Sequence, residues 1–574
     1  MSSILHHQSI PVLKDSDARL RGLRISGLTN ELRFLVVIIG VGMLALLPMM
    51  FWGIPSGGDL PNHYRFVLPF YDAIHSGHLY PGWLAESNYG FGDARFRFYP
   101  PGLYYLLTLF KSAAGWYWAS IATFTFLSVL GGLGMYFWAR TSHSRNVAMW
   151  AGVLYVIAPY HLNQLYQASL LSEYAACSVL PFVFAFVERT CRRQKAIDVA
   201  GLAASYALLV LTHLPLTVIG SLSLALYAIT LLSRKTLFPS MVKLGSGVVI
   251  GLVASSFFWM TMLAELPWIK GNSANQNLYY DYRANFLFSP SALTNRNTWY
   301  ANLLAFALIG MLLPAVILIK KKTDSATKAV GVVAIASLLM ATELSRPLWI
   351  VIPRLREVQF PWRWLAITSI FGSIVLAASL PKWKEIYLRK LRPLHLAPAL
   401  GVALSIFFIA SQIVWDSDYL ARPAFDSLLG NIRGSASFKD WMPLSAGEDI
   451  KTFAASDQVT AGDRKVVVQD WQPEHRQFNI NSGAATEARV RTFYYPLWKA
   501  TAGEQSLAVR PAQDGAILIT LPAEARTVSL DFQEPRRVGY ARVASGAGWL
   551  LIIALCLWSV FHKRLDPQHT HASS

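Results

Sequence analysis

The sequence predicts an all-α polytopic membrane protein that carries a small extracytoplasmic β-sandwich domain. Three observations point there. Apolar residues make up 54% of the 574 and charged residues only 15%, well beyond what a soluble core of this size needs. The apolar residues also cluster in charge-free runs such as 34–52 and 549–561, and about 20 consecutive apolar residues cross a bilayer. Between such runs the basic residues recur on alternate sides, which is the positive-inside pattern.

Twelve candidate spans follow: 34–52, 116–139, 147–163, 172–188, 197–213, 215–232, 241–263, 299–319, 328–342, 363–380, 396–415 and 546–562. Arg19, Arg21, Arg24 and Arg33 precede the first, so the amino terminus is placed inside. Alternation then puts Arg140, Arg145, Arg189–Lys195, Arg234, Lys235, Lys320–Lys322, Lys382–Arg392, Lys563 and Arg564 inside as well. The first 33 residues lack an apolar core of signal-peptide length, so 34–52 reads as an uncleaved span.

The chain therefore divides into a cytoplasmic segment (1–33), a transmembrane domain (34–415) with large outer loops at 53–115 and 264–298, an extracytoplasmic β-rich domain (416–545), a final span (546–562) and a cytoplasmic tail (563–574). The β-domain is expected from period-two alternation in ARVRTFYY (488–495), AILITL (516–521) and TVSLDF (527–532), with turn residues between. Both ends are expected inside a bacterial cytoplasmic membrane. The net charge of +18 belongs to the membrane part, so nucleic acid is not an expected partner. Cys177, Cys191 and Cys556 all lie in or beside apolar segments and imply no disulfide framework.

The first outer loop holds the most unusual residues, GGDLPNHYRF (57–66) followed by GHLYPGWLAESNYGFGDARFRFYPPG (77–102). Asp59 follows two glycines and precedes Leu60-Pro61, a helix-capping context. His63, four residues on, shares its helix face. Two readings stay open: Asp59 caps the helix while His63 bonds locally, or Asp59 is a general base with His63 as its partner or a metal ligand. Seven arginines (Arg65, Arg95, Arg97, Arg283, Arg354, Arg356 and Arg363) lie on the side that should be depleted of them. They either snorkel to headgroups or hold the phosphate of a lipid carrier by bidentate bonds.

Glu173 in SLLSEYAA and His213 in LTHLP are ionisable groups at span ends, where such residues line cavities or meet partners. Glu86 and Asp93 are candidates for a second acid or metal ligand. The segment 278–288 offers Tyr279, Tyr280, Asp281, Tyr282 and Arg283, suited to sugar stacking or to an interfacial belt. No Walker motif, GxGxxG loop, CxxC pair, HExxH or GxSxG is present.

This pattern resembles the GT-C superfamily of membrane glycosyltransferases. More narrowly, GGDLPNHYRF, LYPGWLAESNYGFG with FRFYPP, ASLLSEYAA, LTHLP and QFPWRW (359–364) resemble the membrane family labelled 6-pyruvoyl-tetrahydropterin-synthase-related. TFYYPLWKA (492–500) resembles the C-terminal part of YfhO-like proteins. The resemblance implies transfer of a sugar from a polyprenyl-phosphate carrier to an envelope glycan or lipid acceptor on the outer face. It assigns the catalytic acid to Asp59, and it makes membrane lipids and a lipid-linked donor the expected partners. Many members carry two acids spaced by one residue, whereas position 57 here is glycine, which leaves a divalent metal (Mg or Mn) open. A non-catalytic scaffold and a transporter of lipid-linked saccharide are the alternatives.

Overall fold

In the computed structural model the chain is described over residues 29, 31–271, 280–290, 296–318, 324–388, 397–435, 439–447 and 457–565. Most of the two expected cytoplasmic ends, and Tyr279, lie outside them. Among the described residues seven helices are long and apolar enough to cross a membrane: Glu31–Trp52, Trp116–Ala139, Leu171–Arg193, Leu214–Leu231, Leu237–Ala254, Pro361–Glu385 and Arg536–Phe561. Ala196–Val210, Thr298–Gly310, Ser325–Met340 and Ala403–Trp415 are shorter apolar helices. Small residues bring neighbours close: a Cβ on Gly152 would sit 2.7 Å from the Gly132 carbonyl.

Two expected spans are interrupted. The run 147–163 forms two helices, Arg145–Val156 and Pro159–Tyr166. Pro159 has no N–H to continue the first helix and forces Ala158 into extended geometry (φ −60°, ψ 130°). The run 241–263 divides at Ser255 into Leu237–Ala254 and Ser256–Glu265, and the Ser255 hydroxyl donates to the Gly251 carbonyl at 2.9 Å.

The alternating segments become strands Thr486–Phe493, Ala516–Leu521 and Arg526–Phe532. They belong to two antiparallel sheets. One contains Val459–Thr460, Thr486–Phe493, Ala516–Leu521 and Val509–Pro511 in that order. The other contains Val466–Gln472, His475–Ile480, Arg526–Phe532, Trp498–Ala502 and Gln505–Leu507. Val490, Ile517 and Ile519 from the first face Phe478, Val528 and Leu530 from the second in one apolar core.

That core is completed from far away in sequence. Trp83, Phe91, Ala94 and Phe98 of the first loop are buried within it, so the loop lies against the sandwich. The helix Arg422–Ile432 instead lies on the loop helix Leu60–His75, with Phe425 against Tyr64 at 5.1 Å and Arg433 paired to Asp72 at 2.6 Å. Loop, sandwich and the turn before Leu171 thereby meet at one end of the helix bundle.

Candidate active site

Asp59 stands at the N-terminus of Leu60–His75, where Pro61 fits the first turn. The approach to it is fixed by close packing. A Cβ on Gly57 would lie 2.4 Å from the Gln167 carbonyl, and Gly57 N donates to Ser169 Oγ at 3.0 Å while Asp59 N donates to Ala168 O at 3.2 Å. The Asp59 side chain accepts no capping bond from its own helix. Among the described residues its one donor is Asn62 Nδ2, at 3.4 Å from Oδ1. Arg65 Nη1 in turn donates to Asn62 Oδ1 at 3.0 Å, which turns the amide NH2 toward Asp59. Burial raises the Asp59 carboxyl above its ordinary value, while Asn62 and the Arg363 charge draw it back down.

Arg363 is the cation that Asp59 feels. It closes the short turn Pro361–Arg363 ahead of a long apolar helix, with its guanidinium 4.9 Å from the Phe360 ring. Nε donates to Glu173 Oε2 at 3.0 Å and Nη1 to Val358 O at 2.7 Å. Nη2 has no hydrogen-bond partner among the described residues. Glu173 is itself fully buried and accepts from Tyr160 Oη and Gln164 Nε2, each at 2.7 Å. Glu173, the Val358 carbonyl and the Phe360 ring thus hold Arg363 in one orientation with one edge open.

His213 lies within electrostatic reach of Arg363. It caps Leu214–Leu231 by accepting from Leu216 N at 3.3 Å through Nδ1. The ring proton therefore sits on Nε2, which has no partner among the described residues. Tyr280 is within reach of both Asp59 and Asp440, and its ring lies 6.0 Å from that of Phe360. Tyr99 also feels Asp59 and packs edge-on against Trp441 at 5.8 Å.

Several expected site residues are committed elsewhere. His63 does not bond Asp59: Nε2 accepts from Leu171 N at 3.2 Å and Nδ1 meets Tyr104 Oη at 2.9 Å. Both nitrogens are used, so it has none for a metal, and burial pulls its pKa down to about 3. Arg95 and Asp93 pair with each other, fully buried, with Nε 2.8 Å from Oδ1; Asn88 Nδ2 also donates to Asp93, at 2.6 Å. Arg95 Nη1 then donates to Arg65 O at 3.0 Å.

Arg97 is saturated by two carboxylates. Nη2 donates to Glu265 Oε1 at 2.7 Å and Nη1 to Glu534 Oε1 at 2.8 Å. Neither Arg95 nor Arg97 has a face to offer a phosphate. Arg65 is half-buried and bonds Ser435 Oγ at 3.0 Å besides Asn62. Arg283 is exposed and pairs with Asp281 at 2.6 Å, while Arg356 caps a short helix by donating to Ile350 O at 2.9 Å. Arg354 and Glu86 are exposed.

Two residues near Asp59 escaped sequence reasoning, Asn62 and Tyr99, as did Asp440, which acts with Asp59 on Tyr280. Asn62 is one turn from Asp59, a spacing that could have flagged it. No local signal links Asp440 to a loop nearly four hundred positions earlier. Among the described residues no group of three His, Cys, Asp or Glu side chains could hold a metal ion. The residues at Asp59 do not fit such a site, and no chemistry is routed through one below.

No curated protein matches the sequence. Among solved structures the chain is similar to the arabinofuranosyltransferase AftD from Mycobacteria, with 16% identity over 68% of this chain and 27% of that one (TM-score 0.44). It is similar to ArnT from Cupriavidus metallidurans, solved bound to undecaprenyl phosphate, with 13% identity over 70% of this chain and 77% of that one (TM-score 0.42). The oligosaccharyltransferase AglB from Archaeoglobus fulgidus, solved with an inhibitory peptide and a dolichol-phosphate, gives 14% identity over 69% and 57% (TM-score 0.44). The chain thus spans 27% of AftD and 57% of AglB. Residues 96–420, more than half of the chain, match the 6-pyruvoyl-tetrahydropterin synthase related domain, a membrane protein. The chain belongs to that membrane-protein family.

Proposed function

We propose that this protein is a membrane glycosyltransferase that moves a sugar from a polyprenyl-phosphate carrier to an envelope glycan or lipid. The reading places the reaction at the outer face of a bacterial cytoplasmic membrane, with both termini inside and the sandwich outside. One observation supports it: Asp59 presents a carboxylate unspent on capping, within electrostatic reach of Arg363, whose Nη2 has no partner among the described residues.

The chemistry follows from that pairing. An acceptor hydroxyl on Asp59 gives up its proton to the carboxylate as its oxygen bonds the anomeric carbon. The carbon–oxygen bond to the carrier phosphate breaks, and the leaving phosphate gains negative charge. In this reading Arg363 Nη2, joined by His213 Nε2–H, meets that charge. A single displacement inverts the anomeric centre. Tyr280, within electrostatic reach of Asp59, supplies a flat face suited to a sugar ring.

The test uses full-length protein and Asp59→Asn in nanodiscs, offered radiolabelled polyprenyl-phosphate sugars and an envelope extract, with and without Mg or Mn. Transfer or slow donor hydrolysis by the wild type alone is the expected result. Loss of activity in both Asp59→Asn and Asp59→Ala, with the fold intact, supports the reading, and full wild-type turnover in both would remove Asp59 from the mechanism.

A further inference from the structure

Arg65 lies half-buried on the helix Leu60–His75, and its side chain joins two parts of the chain that are 370 positions apart. Nη1 donates to Asn62 Oδ1 and Nε to Ser435 Oγ, each at 3.0 Å. Ser435 keeps a lone pair for that bond, because its own hydroxyl proton goes to Ile432 O at 2.7 Å. The turn that carries Ser435 is fixed against the first loop: Tyr89 N donates to Gly434 O at 2.6 Å. Gly434 takes a left-handed φ of +70°, which glycine adopts without strain. The Arg65 backbone is held as well, since its carbonyl accepts from Arg95 Nη1 at 3.0 Å and Arg95 is paired with Asp93.

What this arrangement controls is the Asn62 amide. A carboxamide accepts at one end and donates at the other, and a half-turn of the side chain exchanges the two. A guanidinium only donates, so Arg65 meets the oxygen and leaves the NH2 for Asp59, where Nδ2 reaches Oδ1 at 3.4 Å. Turned the other way, the amide would offer its oxygen to the carboxyl and favour the protonated acid. The other titratable groups that face Asp59 come from other elements: Arg363 of the turn 361–363, Tyr99 of the first loop, and Tyr280. Arg65 is itself faced by Tyr89 and Arg95. Among the described residues the charge that acts directly on Asp59 is that of Arg363 and not that of Arg65.

We propose that Arg65 and Ser435 are positioning residues for Asp59: Arg65 fixes which end of the Asn62 amide the carboxylate meets, and Ser435 holds Arg65 from the segment that leads into the sandwich. The proposal rests on Asp59 as the base. It gives the helix Arg422–Ile432 a part in the chemistry, because Asp59 ionises readily only while the turn after that helix is seated on Arg65.

The test titrates the Asp59 carboxyl itself, with no turnover required. Infrared spectra of full-length protein in nanodiscs are recorded across the acid range, and subtracting those of Asp59→Asn isolates the Asp59 band; each variant is treated in the same way. Arg65→Met should raise the midpoint by about one pH unit, the size of one hydrogen bond to a charged group. Arg65→Lys, which keeps a donor for the Asn62 oxygen, should recover part of that shift, and Ser435→Ala should give a smaller rise. Asn62→Ala combined with Arg65→Met should shift the band no further than Asn62→Ala alone, since a residue that acts through another adds nothing once the other is gone. An unmoved band in folded Arg65→Met, or shifts that simply add, would overturn the proposal. Should Arg65→Met not fold, Ser435→Ala with and without Asn62→Ala carries the same expectations. A band that shifts as described in a protein that transfers no sugar upholds the positioning and removes the glycosyltransferase reading. Sugar transfer with an unmoved band overturns the positioning alone.

Discussion

Arg363 donates through Nε to Glu173 Oε2 at 3.0 Å, and both side chains are buried. The bond joins the turn at 361–363 to the start of Leu171–Arg193 and aims the guanidinium whose other edge is open. Removing one partner of a buried ion pair leaves the other charge uncompensated and costs about 3–5 kcal/mol. Glu173→Ala should destabilise the protein by about that amount, measured by unfolding of the detergent-purified protein. Glu173→Gln, which can still accept from Tyr160, should lose less.

Asp59 must be ionised to accept a proton, and burial raises its pKa. Activity is therefore complete above that pKa and disappears as pH falls through it. The acidic limb of kcat/KM should lie above the ordinary aspartate range, whose unperturbed value is about 3.9. Asn62 favours the ionised form, so Asn62→Ala should move the limb to higher pH with a smaller effect at high pH. An unmoved limb would show that Asn62 does not act through Asp59.

His63 is a neutral strut between Tyr104 and the Leu171 amide. Burial pulls its pKa down to about 3, so the ring stays neutral across the physiological range. His63→Gln should cost about 1–3 kcal/mol of stability and change turnover of folded protein by less than about threefold. A loss of a hundredfold or more with unchanged stability would restore it to the chemistry.

Arg97 ties Glu265 at the end of a bundle helix to Glu534 beneath the sandwich. Tyr495 Oη and Arg537 Nη2 also reach Glu265, at 2.7 and 3.1 Å. Arg97→Ala should loosen the sandwich from the bundle, seen as faster proteolysis around 533–540. Glu534→Ala, which leaves Glu265 in place, should do so more weakly.

Much of this was legible in the sequence. Hydropathy placed the apolar helices because lipid demands long apolar runs, and alternation placed the strands. Asp59 and Arg363 stand in motifs short enough to see. Arginine counting failed at Arg95 and Arg97, because a phosphate ligand and the partner of a buried carboxylate look alike in a string. Glu534, the partner of Arg97, lies 437 residues away. His63 looked like Asp59's companion by spacing, but its bonds go to residues 41 and 108 positions distant. The interruptions at Pro159 and Ser255 were hidden by uniform apolarity.

The burial of Trp83, Phe91 and Phe98 among strands made from residues 459–532 sets an order of assembly. These aromatics are synthesised early, and the last strand they pack beneath follows roughly 430 residues later, about 20–90 s at common translation rates of about 5–20 residues per second. During that interval a sticky aromatic surface waits uncovered beside the membrane while the bundle is threaded. The sandwich is therefore a late clasp, and a fragment beginning at residue 416 would lack part of its own core.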